Sequence, residues 1–134
     1  MRTAPLFLIG SALLACAPAV AADRAATPEA ALAKALDGRV AGAPVNCINL
    51  HDIQSSRIFD RTAILYDTGT RLYLNRPRIG ADSLDDDDIL LTKTFGSQLC
   101  SLDTVHLISR SGHFEHGFVG LGEFVPYARP PKAK

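Results

Sequence analysis

From Val45 onward the apolar residues fall into short runs: "VNCINL", "SRIF", "TAILYD", "TRLYLN", "ILLTKT", "TVHLIS" and "FVGLGEFV". Each is four to eight residues long, rich in Val, Ile, Leu, Thr, Phe and Tyr, and bounded by turn residues. Runs of that length and composition predict strands rather than helices. Their spacing predicts a mainly β domain over residues 45–127, built as a small antiparallel partly open barrel or roll. The clearest hairpin is "TAILYDTGTRLYLN", in which Asp67-Thr68-Gly69 supplies turn chemistry and Gly69 can take positive φ. Alternation along its second strand sends Leu72 and Leu74 to one face, and Tyr73 and Asn75 to the other. In "GLGEFVPY", Gly120 and Gly122 predict a close backbone approach or a bulge at a bend of the sheet.

The pattern upstream is different. Residues 23–44 are Ala-rich and poor in large apolar side chains. Thr27-Pro28-Glu29 predicts a helix start and Gly38 its stop, so one short helix with Leu32 and Leu36 as its apolar positions precedes the β domain. Residues 1–22 read as a signal peptide. Arg2 is the sole charge before an apolar stretch that runs through Leu14, and the small residues Ala19-Val20-Ala21-Ala22 offer an A-x-A-like cleavage site. Leu13-Leu14-Ala15-Cys16 also has the form of a lipobox, which would make Cys16 the lipidated first residue of an outer-membrane lipoprotein. Both processing routes predict export, to the periplasm or beyond. The tail, residues 128–134, is rich in Pro and Lys and reads as disordered.

Composition narrows the function classes. With 134 residues and 47 % of them hydrophobic, the chain can build one domain with a core. Its 14 basic and 14 acidic residues cancel, which gives neither a nucleic-acid footprint nor a polybasic membrane patch. Membrane contact would come only through a lipid on Cys16. Of three cysteines, Cys16 leaves with the leader or carries lipid, so Cys47 and Cys100 remain to form one disulfide in an oxidising compartment. With no C-x-x-C and no neighbouring His in sequence, a structural bridge is the better reading than redox chemistry.

Four candidate sites follow from the remaining polar residues. The run Asp85-Asp86-Asp87-Asp88 lacks the alternating ligands, Gly and terminal Glu of a calcium loop. A solvated turn capped by Ser83 fits it best, ahead of an acidic docking patch or a weak calcium site. "HFEH" places His113 and His116 three apart with Glu115 between them, a spacing that chelates zinc on a helix, although the flanking Gly112 and Gly117 favour a surface loop. Glu123 is either an internal partner of Arg57 or Arg76, or part of a ligand groove with Tyr73 and Tyr127. Ser97 and Ser101 lie in no nucleophile elbow, and no cofactor signature is present.

The frame "CINLHDIQSSRIFDRTAILYDTGTRLYLNRP", followed by "GSQLCSLDTVHLI" and "GLGEFVPY", resembles a family of small exported proteobacterial proteins classed as a domain of unknown function. The resemblance spans Val45 to Tyr127. It rests on Cys47, the Ile53 to Asp60 segment, Tyr73, and Cys100 followed by Asp103. The family's pattern carries a further Cys-Pro pair after the Tyr-bearing strand, where this chain reads "RPRIGADSL", so its disulfide connectivity does not carry over. The resemblance implies export and fold, and brings no activity, substrate or cofactor.

The sequence therefore predicts an exported, non-catalytic binding or interaction module whose partner is an envelope protein or a small ligand. The alternative is a metal-binding or hydrolytic protein using His113, Glu115 and His116.

Overall fold

The structure is a computed structural model that describes residues 26–133. The leader, its cleavage site and Cys16 lie outside the described residues. Among the described residues one α-helix, α1 (Pro28–Ala35), precedes ten strands: β1 (Val40–Ala41), β2 (Cys47–Asn49), β3 (Ser55–Phe59), β4 (Ala63–Asp67), β5 (Leu72–Asn75), β6 (Asp88–Thr92), β7 (Gln98–Cys100), β8 (Thr104–Ser109), β9 (Glu115–Gly120) and β10 (Phe124–Ala128). All strand pairings are antiparallel, in sheets of order β1-β10-β5-β4-β3, β2-β7 and β6-β8-β9.

The middle of the five-stranded sheet is buried on both faces, β4 most completely, and strict alternation decides which side chain goes where. Ala63 and Leu65 of β4 and Leu72 and Leu74 of β5 pack with Phe59 against Leu32 of α1. Ile64 and Tyr66, with Ile58 and Phe124, face the other way, onto Ile48, Leu99, Val105, Leu107 and Val119 of the two smaller sheets. The result has three layers: helix, large sheet, small sheets. Tyr66 lies 5.9 Å from Phe124, ring centre to ring centre, and burial pushes its phenol pKa up.

The expected mainly β roll with one short N-terminal helix is present. Thr27 caps α1, its hydroxyl accepting from the Ala30 amide at 3.2 Å, and Gly38 turns the chain with φ +71°. The β4–β5 hairpin closes through Gly69 at φ +82°, whose amide donates to Asp67 at 2.7 Å. No barrel closes. The edge strands β3 and β6 flank one cleft of about 470 Å³ at the open side.

Other details differ from the sequence reading. "FVGLGEFV" is two strands: β9 ends at Gly120, Leu121–Glu123 cross between sheets, and β10 begins at Phe124 in the large sheet. A Cβ on Gly122 would lie 2.4 Å from the Arg76 carbonyl, so only glycine lets the chain cross there. Asn75, fully buried, holds the crossing by donating to the Gly122 carbonyl at 2.7 Å and accepting from its amide at 3.0 Å. The two-residue β1 lies within the Ala-rich lead-in, and β10 runs one residue into the tail. Ser83 does not cap the acidic turn. Asp85 accepts from the Asp87 amide at 2.9 Å and Asp60 from the Asp86 amide at 2.7 Å, while Asp88 turns inward and is buried.

Cys47 and Cys100 stand directly opposite one another in β2 and β7 and form a disulfide across 53 residues of sequence. Closing a loop of that length restricts the unfolded chain by about 4 kcal/mol. Replacing both cysteines by Ser should lower unfolding stability by about that amount, read from urea titrations of the two proteins. Asn75→Ala leaves a buried amide and carbonyl of Gly122 unpaired and should cost about 3 kcal/mol in the same titration. A loss below that of an ordinary surface substitution would show that Asn75 does not hold the crossing.

Candidate functional site

The strand exit "NRPR" carries two guanidinium groups two residues apart, and an extended chain places such residues on one side. Here that side is a concave one. Arg76 and Arg78 line a cleft of about 670 Å³ whose floor is Leu74 and Val125, with Glu123 and Tyr127 of the β10 segment on its other wall. Asn46 and Ser101, each next to a bridged cysteine, complete it.

The cleft is held from three directions. Arg78 donates through Nε to the Leu121 carbonyl at 2.9 Å and through Nη2 to the Ser101 carbonyl at 2.7 Å. The Ser101 amide in turn donates to the Asn46 carbonyl at 2.7 Å, continuing the ladder that contains the disulfide. Arg76 makes a two-pronged pair with Glu29 of α1, at 2.7 and 3.1 Å. The hydrogen bond from Arg76 holds the Glu29 carboxyl below its ordinary value, and the same contact, followed by the nearby Tyr127, raises the Arg76 pKa. Both partners are largely exposed, so this pair orients Arg76 more than it stabilises the fold.

Glu123 is thus not tied to Arg57 or Arg76. Arg57 lies over the Phe59 ring at 4.7 Å, and among the described residues no ion pair forms at Glu123. Its carboxylate shares the cleft with two guanidinium groups, the Tyr127 phenol and an apolar floor. Such a surface can bind a small polar molecule through charge-assisted hydrogen bonds. Tyr73 is on the opposite face of β5, packed on the inter-sheet core and lining a separate hollow with His51 and Arg71. The structure therefore joins Glu123 and Tyr127 and leaves Tyr73 out. Among the charged members of the site, Arg78 is the one that the sequence analysis did not single out. The alternation in Arg-Pro-Arg at the end of a strand was the signal for it.

The histidine motif is dispersed. Ile108 of β8 pairs with Glu115 and Leu107 with Gly117, which leaves His116 as the extra residue of a bulge. The bulge turns Glu115 to the outer face, where its carboxylate is 2.6 Å from His106 Nδ1, and sends His116 Nε2 to within 2.7 Å of Asp88 Oδ1. His113 sits in the hairpin turn at φ +54°. Glu115 and His116 thus serve two separate pairs. Among the described residues, the group of three carboxylates, imidazoles or thiols close enough to share a cation is Asp60, Asp85 and Asp86, all exposed. Two of its members already accept backbone amides.

His116→Ala strips a buried carboxylate of its partner and should cost about 2 kcal/mol, whereas His113→Asn, which suits positive φ, should change stability by less than about 0.5 kcal/mol. Equal losses at the two positions, or a melting temperature raised by added zinc, would mean that the pair acts together on a metal. Comparison of the chain with family models, with curated proteins and with solved structures returns no match, and the site stands on its own geometry.

Proposed function

We propose that this protein is an exported, non-catalytic binding module that takes a small acidic ligand in the cleft between the end of β5 and β10. The observation that carries the reading is the meeting of Arg76, Arg78, Glu123 and Tyr127 over an apolar floor in one cleft of about 670 Å³. That volume is within the range of small-molecule sites. Arg78 is fixed by two backbone carbonyls, so its orientation does not have to be acquired on binding. Arg76 can exchange its exposed carboxylate partner for that of a ligand, and Glu123 then selects ligands that also carry a donor.

Export is supported by the leader pattern of residues 1–22, by the resemblance of residues 45–127 to small exported proteins, and by the Cys47–Cys100 bridge. Among the described residues no helix is long and apolar enough to cross a membrane.

Isothermal titration with succinate, citrate and inorganic phosphate tests the site. At least one of these anions should bind, and Arg76→Ala should weaken it about tenfold, the worth of one charge-assisted contact. Tyr127→Phe should weaken it less, and Tyr73→Phe not at all. Equal effects of Tyr73→Phe and Arg76→Ala, or no heat with any of the three, would sink the cleft as an anion site.

A further inference from the structure

Two facing rows of side chains line the Arg76–Arg78 cleft. Period-two alternation puts Leu74, Arg76 and Arg78 on one side of β5 and its exit, and Glu123, Val125 and Tyr127 on the matching side of β10 and the crossing before it. Leu74 pairs with Val125 and Asn75 with Phe124. Continuing that register by one residue sets Arg76 opposite Glu123, where the Gly122 backbone runs against the Arg76 carbonyl. Opposite charges at facing positions ordinarily pair. These two do not, because both terminal nitrogens of Arg76 go to Glu29. Among the described residues no ion pair forms at the exposed Glu123.

Arg78 is also without a carboxylate among the described residues. Its Nε and Nη2 donate to the neutral carbonyls of Leu121 and Ser101, which fix the guanidinium and leave Nη1 to donate elsewhere. The cleft thus presents two positive groups and one negative group to a ligand, with the half-buried Tyr127 phenol beside them. The complement of that set carries two carboxylates and one ammonium. A dicarboxylate without the ammonium would bring like charge up to Glu123, and an amino acid with a single carboxylate would leave one guanidinium unused. Arg76 can release Glu29 at little cost, since that pair is exposed on both sides.

Resting on the anion-binding reading of this cleft, we infer that its ligand is a short amino dicarboxylic acid, its two carboxylates taken by Arg76 and Arg78 and its ammonium by Glu123. The methylene groups between the charges then lie on the floor formed by Leu74 and Val125, and the Tyr127 hydroxyl donates to a carboxylate.

Ligands that differ by one group read this directly in isothermal titration. Succinate and L-aspartate differ only by the ammonium, as do glutarate and L-glutamate. L-Aspartate or L-glutamate should bind about tenfold tighter than its deaminated twin. L-Alanine, which keeps the ammonium and loses the second carboxylate, should bind about tenfold more weakly than the better of the two. Glu123→Gln keeps the shape of a side chain that has no ion-pair partner to lose, and circular dichroism checks that it is folded. It should remove the preference for the amino acid while binding succinate no more weakly than the parent does. Deaminated acids that bind as tightly as their amino twins, alanine that binds as tightly as the dicarboxylates, or a preference that survives in Glu123→Gln would each overturn the ligand class and leave the anion site standing. No heat from aspartate or glutamate where citrate or phosphate binds would do the same, whereas no heat from any of these compounds would remove the anion site as well.

Discussion

Two-sided burial at the centre of the five-stranded sheet is the constraint on which the architecture rests. β4 has no solvated face, because Ala63 and Leu65 lie under α1 while Ile64 and Tyr66 lie on the small sheets. A sheet of this kind is stable only as the middle of three layers. That requirement gives the Ala-rich N-terminal segment its structural role. Leu32, 2 % exposed, covers a face that would otherwise open to water.

The chain must also pass from the small sheets to the large one, and the passage at Leu121–Glu123 forms the functional surface as a by-product. Asn75 ties the crossing down, Gly122 lets it run against the Arg76 backbone, and Leu121 offers its carbonyl to Arg78. The disulfide ladder braces the opposite wall through Ser101. The cleft is therefore rigid on the Arg78 side and adjustable at Arg76, whose partner Glu29 is exposed. A preoriented contact beside an exchangeable one suits reversible binding.

Periodicity made most of the strands legible, because period-two alternation and turn residues are local properties. The Asp67–Gly69 turn, the Thr27 cap and the facing of Leu72 and Leu74 were all readable in that way. β1 and β7 are too short to carry a pattern, and exist because a neighbouring strand offers its edge. The break in "FVGLGEFV" was hidden because both halves are apolar, and only the packing of two sheets shows that they belong to different ones. The histidines were misleading for a related reason. Spacing in sequence assumes a regular face, and the bulge at His116 rotates Glu115 and His116 onto different partners.

By itself, the sequence determined the class of the fold, the single helix, the principal hairpin and the identity of the two bridging cysteines. Each of these depends on side chains near one another in the chain, or on a count that leaves one pairing. Tertiary structure alone decided that Glu123 and Tyr127 share a cleft with Arg76 and Arg78 while Tyr73 faces away, and that Asp88 leaves the acidic run to meet His116. Those outcomes turn on which face of which sheet a strand presents after the chain has crossed between layers, and neither composition nor spacing encodes that geometry.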